Sequence, residues 1–197
     1  MSTHATAHSS ELDHRKLGIW VFLASEVIFF AAIITAFLVY RDIHVEPDPR
    51  HILTLLIPTI NTIVLLVSSV TMVMALESIK ADKRTPTWVW LVATALLGAT
   101  FLVLKGTEYT ELFHEGLTPS ANIFGSIYYT LTGFHAAHVL VGIIWILSVV
   151  ALVLRGRFSA TNFLPVEIVG LYWHFVDLVW VAIFMIVYLL EQIPFMR

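Results

Sequence analysis

Six ionisable side chains stand in or beside stretches that are otherwise apolar: Glu26, Glu108, His135, His138, His174 and Asp177. A lone carboxyl such as Glu26 suits proton exchange or regulation. It equally suits a structural role, hydrogen-bonded to neighbouring helices, and the residue alone leaves both open. His135 and His138 are three residues apart, so on a helix they share a face, as do His174 and Asp177. A carboxylate one turn from a histidine can fix its tautomer. Intramembrane histidines also raise a haem-ligand reading, since facing histidines hold b-type haems. Their plainer use is hydrogen bonding between helices. No nucleophile triad, phosphate loop or metal motif is legible, so the expectation is no catalytic residue, no cofactor-binding residue and no metal ligand.

The elements that carry these groups are long apolar runs: Leu17–Val39, Ile52–Leu76, Thr87–Leu104, Phe124–Leu154 and Val166–Leu190. About 20 apolar residues cross a hydrocarbon core of roughly 30 Å. Each run is therefore long enough to span. Glu26 lies about nine residues into the first, roughly 14 Å deep at 1.5 Å per residue. His135 and His138 fall at similar depth in the fourth run, and His174 and Asp177 in the inner half to middle of the fifth. Glu108 follows the third, near its outer end. Pro58 stands near the start of the second, where a missing N–H is tolerated. Trp88 and Trp90 open the third at the expected height of an interfacial aromatic belt. Gly133, Ala136, Ala137 and Gly142 would let the fourth helix approach its neighbours closely, and Tyr172, Trp173 and Trp180 read as packing residues.

Composition agrees. Of 197 residues, 58% are hydrophobic and 13% charged, and mean hydropathy is +0.86. Soluble domains carry about a quarter charged residues. The net charge is −3 with no long charge run, which argues against a nucleic-acid partner. The absence of cysteine excludes disulfides, thiolate metal sites and Fe–S clusters. Residues 1–16 read as a flexible polar tail without the features of a signal peptide. Residues 17–197 read as one transmembrane domain, all-α, with helices at about 17–40, 52–77, 87–109, 124–154 and 166–192. If the N-terminus is cytoplasmic, the inside carries Arg15, Lys16, Lys80, Lys83, Arg84, Arg155 and Arg157, and the outside Arg41, Arg50, Lys105 and Arg197. Seven against four favours N-inside and C-outside.

Four stretches carry a resemblance. Leu17–Ala31, with Ser25-Glu26-Val27 at its centre, resembles the first helix of the conserved core of haem–copper oxidase subunit III. Thr132-Gly133-Phe134-His135-Ala136-Ala137-His138-Val139, with Gly125-Ser126 before it and Gly142 after, looks like that family's Gly-Phe-His-x-x-His-Val helix. Tyr172-Trp173-His174-Phe175-Val176-Asp177-Leu178-Val179-Trp180 is similar to its last helix, and Glu108-Tyr109 to the Glu-Tyr ending its third. The four occur in order and cover Leu17 to the C-terminus. The pattern is that of the five-helix bacterial members, starting at the Ser-Glu-Val helix.

The resemblance implies a five-transmembrane-helix bundle of the cytochrome c oxidase subunit III type, itself without haem or copper. It implies packing against subunit I, which holds the haems, copper and proton pump, within an assembly that includes subunit II. It also implies bound phospholipid, a respiratory supercomplex as a possible setting, and a bacterial plasma membrane location. Glu26 falls on the family's carbodiimide-reactive glutamate. Glu108, His135, His138, His174 and Asp177 would be the bundle's internal polar set. The implied role is support of subunit I stability and proton uptake. Subunit III of a ubiquinol oxidase is the near alternative, because it shares the pattern. A b-type cytochrome anchor using two of His135, His138 and His174 is the distant one, and an autonomous transporter is disfavoured by the lack of an internal repeat.

Overall fold

The computed structural model describes residues 3–41 and 53–190, and of residues 3–13 the backbone alone. Its helices are α1 (Thr3–Tyr40), α2 (Leu56–Lys80), α3 (Arg84–His114), α4 (Ile123–Leu154) and α5 (Leu164–Ile183). A π-helical turn, Phe184–Leu189, continues α5. Five stretches among the described residues are long and apolar enough to cross a membrane: His14–Tyr40, Leu56–Lys80, Arg84–His114, Ile123–Leu154 and Leu164–Leu189.

Two boundaries differ from the sequence reading. The helical backbone of α1 begins at Thr3, within the segment read as a tail, because extending an existing helix avoids the cost of a new nucleus. The third helix runs past the expected end at about 109 to His114, and Lys105, counted above with the outside cations, is buried within it. The expected start of the second helix at Ile52, the end of the fifth at Gln192, and Arg50 and Arg197 lie outside the described residues.

The bundle is built around α5. Over half of its most apolar window, 56%, is buried, against 17% for α1. It packs against α1, α2 and α4, while α3 packs between α2 and α4. Large apolar side chains such as Ile28, Leu96, Ile144 and Leu178 remain exposed on the outside. In a bilayer they meet acyl chains, so their exposure carries no aqueous penalty.

Without a hydrophobic force between helices in lipid, close packing and interhelical hydrogen bonds hold the bundle. Trp173 of α5 shows both. Its indole lies between α3 and α4, where glycines make room. A Cβ at Gly98 would lie 2.5 Å from a ring carbon of Trp173, and one at Gly142 2.9 Å. Its Nε1–H donates to Ser68 Oγ of α2 at 2.9 Å. Two turns further along α5, Trp180 Nε1–H donates to Thr62 Oγ1 at 3.0 Å. These indoles fix the height of α5 against α2. Gly133 plays no such part, since the nearest atom to a Cβ there is the Tyr109 hydroxyl at 3.9 Å.

Overpacking a filled core costs about 1–3 kcal/mol. Gly98→Ala and Gly142→Ala should each lower the unfolding midpoint of the purified protein in detergent, whereas Gly133→Ala should leave it within error. Equal midpoints for all three variants would contradict the packing described for Trp173.

Candidate functional site

Glu26 of α1 and His138 of α4 meet near mid-depth. His138 Nε2 lies 3.1 Å from Glu26 Oε2, although the residues are 112 positions apart. The other ring nitrogen, Nδ1, lies 2.7 Å from the Phe134 carbonyl. A carbonyl has no proton to give, so Nδ1 carries one and donates. Nε2 and the carboxyl then share a single proton. Either the carboxylic O–H donates to Nε2, or an imidazolium N–H donates to a carboxylate.

The side chains are 17% and 20% exposed, so the pair opens onto the outer surface between α1 and α4. The rings of Phe29 and Phe30 flank His138, the latter edge-on at 5.1 Å. The Tyr172 hydroxyl donates to the His138 carbonyl at 3.0 Å. Toward the end of α1 near Tyr40, Ala32, Ile33 and Ala36 face Ser126, Ile127 and Thr130 of α4 across a groove of about 340 Å³. Between groove and pair stand Phe29 and Phe134, edge to face at 5.1 Å.

Glu108 belongs to a second, sealed cluster. Lys105 Nζ donates to Glu108 Oε2 at 3.1 Å, to the Tyr128 hydroxyl at 3.0 Å and to the Tyr188 hydroxyl at 2.7 Å. The two hydroxyls in turn donate to Glu108 Oε1, at 2.7 and 2.6 Å. Every proton is accounted for. An ammonium has three N–H groups and all three are used; an ionised carboxylate only accepts, and it accepts three times. The side chains of Lys105 and Glu108 are 2% and 5% exposed. The Lys105 ammonium also lies 5.1 to 5.4 Å from the ring centres of Tyr109, Tyr128, Trp180 and Tyr188. The cluster joins α3, α4 and the π-helical end of α5. The wider π turn keeps Tyr188 near the face of Trp180, with ring centres 6.3 Å apart.

The remaining members of the expected set are placed separately. His135 is fully buried, its ring 5.5 Å from Phe101 and 5.2 Å from Trp180, and neither of its nitrogens has a hydrogen-bond partner among the described residues. Asp177 is buried with the Ser69 hydroxyl of α2 as its polar neighbour. His174 bonds Ser69 of α2, Nδ1 to Oγ at 2.6 Å. The hydrogen bond that His174 makes through Nδ1 goes to Ser69 of α2, not to Asp177 one turn away. His135 and His138, placed on one face by their spacing, also diverge, one into the core and one to α1. No group of three or more His, Cys, Asp or Glu among the described residues is placed to hold a metal ion.

Sequence reasoning missed Lys105, Tyr128 and Tyr188. Lys105 was counted with the outside cations because the third apolar run ends at Leu104. The i, i+3 spacing of Lys105 and Glu108 was a usable signal of an internal pair. Nothing marked the two tyrosines, which come from other helices.

The arrangement defines a polytopic α-helical membrane protein with a closed Lys105–Glu108–Tyr128–Tyr188 cluster inside the bundle and a part-exposed Glu26–His138 pair at its surface. A family model described as cytochrome c oxidase subunit III matches residues 2–192. The chain is 38% identical over 189 residues, 94% of its length and 80% of the relative's, to cytochrome c oxidase subunit 3 of Synechocystis sp.. It is 35% identical over 184 residues (93% and 89%) to the protein of that name from Bacillus sp. PS3. It is also 33% identical over 189 residues (95% and 90%) to cytochrome bo(3) ubiquinol oxidase subunit 3 of Pseudomonas aeruginosa. The chain belongs to the cytochrome c oxidase subunit III family.

Removing one partner of a buried pair strands the other charge, at a cost of about 3–5 kcal/mol. Lys105→Met should therefore destabilise the protein strongly in SDS-induced unfolding. Lys105→Met combined with Glu108→Gln should recover part of that loss. A double variant as unstable as the sum of the single ones would contradict the closed network.

Proposed function

We propose that the chain is a non-catalytic, cofactor-free subunit III of a proton-pumping haem–copper terminal oxidase, docked on subunit I and assembled with subunit II. The observation that carries this reading is the family match over residues 2–192. The haems and copper belong to the partner subunits, and the complex reduces oxygen to water. The chain supports the stability of subunit I and proton uptake there. Cytochrome c is the electron donor of this reading. The ubiquinol oxidase relative from Pseudomonas aeruginosa supports quinol as the second.

Engagement of the imidazoles supports a scaffold over a haem anchor. His138 is held through both nitrogens, His174 through Nδ1, and His135 is walled in by Phe101 and Trp180. A b-type haem would need two of these rings freed to face one another. Glu26 and His138 form the chain's proton-exchanging element, and the α1–α4 groove beside them takes a phospholipid acyl chain. Lys105 drops out of the outside charge count because it is buried. Seven cations then face three, which strengthens the N-cytoplasmic, C-periplasmic orientation in a bacterial plasma membrane.

The test is the assembled oxidase. Native complex should bind a hydrophobic carbodiimide at Glu26, and Glu26→Ala should abolish labelling while leaving initial oxygen turnover within about twofold. Immediate loss of haem absorbance in an assembled Glu26→Ala complex would contradict a supporting role. A reducible haem band from the isolated subunit would favour the cytochrome-anchor alternative.

A further inference from the structure

His174 is the polar group that the bundle leaves half satisfied at its outer surface. Its Nδ1 meets Ser69, its only hydrogen bond among the described residues, and the ring is half-buried. Nε2 has no hydrogen-bond partner among the described residues. The depth is central. His174 is ten residues into α5, and Ser69 is thirteen into α2, so about 15 and 20 Å from the respective helix ends. Neither lipid headgroups nor bulk water reach there.

Two apolar stripes meet at this point. On α5, Leu171, His174 and Leu178 follow one another at i, i+3 and i+7, and Leu178 is 67% exposed. On α2, Leu66 and Val73 flank Ser69 at i−3 and i+4 and are 50% and 47% exposed. Adjacent stripes on neighbouring helices form the kind of furrow that a third helix fills. The small Ser69 at the centre permits close approach. Acyl chains would cover the leucines and the valine equally well, but they offer nothing to an imidazole nitrogen. An unmatched polar group in hydrocarbon is costly, so the occupant that fits must bring its own hydrogen-bonding group to mid-depth.

We propose that the α2–α5 face centred on His174 and Ser69 is the seat of a membrane-spanning helix of a partner subunit, carrying a hydrogen-bonding side chain level with His174. The proposal rests on the reading of the chain as an oxidase subunit and adds the surface by which it is held. It separates His174 from the Glu26–His138 pair: one docks, the other exchanges a proton.

A photo-reactive phenylalanine analogue is placed at Leu178, and in a separate protein at Leu96, an exposed residue of α3. Both are irradiated in the native membrane before the complex is purified. Leu178 should capture a larger subunit of the complex in severalfold higher yield than Leu96. In parallel, His174→Phe should be lost from the complex on detergent washing severalfold faster than the unmodified chain, and His174→Gln, which keeps a polar group, should be retained. Capture of lipid alone at Leu178, capture of a second copy of this chain, or equal capture from both positions would each overturn the docking surface. Purification of the chain free of any other subunit would instead overturn the underlying reading, so the two failures are distinguishable.

Discussion

A lysine and a glutamate sealed together inside the protein set the terms for the rest of this bundle. Either alone would be costly there, because no water replaces a missing partner. Lys105 and Glu108 are tolerable only because Tyr128 and Tyr188 complete the donor and acceptor count. That completion requires α3, α4 and the end of α5 to stand at one height and one rotation. The tryptophans beneath repeat the demand. Trp180 lies under the ammonium, and Trp173 fits only where Gly98 and Gly142 open a slot. The polar cluster and the indole stack are thus one constraint applied at successive levels of the same core.

Against this rigid centre, α1 is held differently. It is the least buried helix, joined to α4 by the Glu26–His138 pair and to α5 by Lys16–Glu167 at 3.0 Å. The second of these is partly exposed and contributes little. In the first, a carboxyl stands part-exposed near mid-depth beside an apolar groove. A sealed polar cluster can only stabilise. A half-open pair can be reached from outside the bundle. This difference in access, more than any difference in residue type, separates the structural polar groups from the candidate functional one.

Much of this was legible in the chain. The number of spans, their rough limits and the identity of the polar residues follow from hydropathy, because a bilayer demands long apolar helices of nearly fixed length. The motifs around Glu26, His135–His138 and His174–Asp177 pointed to the subunit III family. Spacing was less informative about pairing. It placed His174 with Asp177 and His135 with His138, and in each case the partners lie on other helices: Ser69, 105 positions away, for His174, and Glu26, 112 positions away, for His138. Periodicity ranks the residues on one helix by face, but it does not say which neighbour that face meets.

What the sequence determined by itself was therefore class and inventory: a five-span all-α membrane protein, the set of groups that must be satisfied within it, and the family to which it belongs. The tertiary structure alone decided who satisfies whom. Helix rotation, height and crossing bring Tyr188 to Lys105 and Glu26 to His138, and they leave His174 facing outward. Those quantities arise from side chains packing between helices far apart in the chain, and no local pattern encodes them.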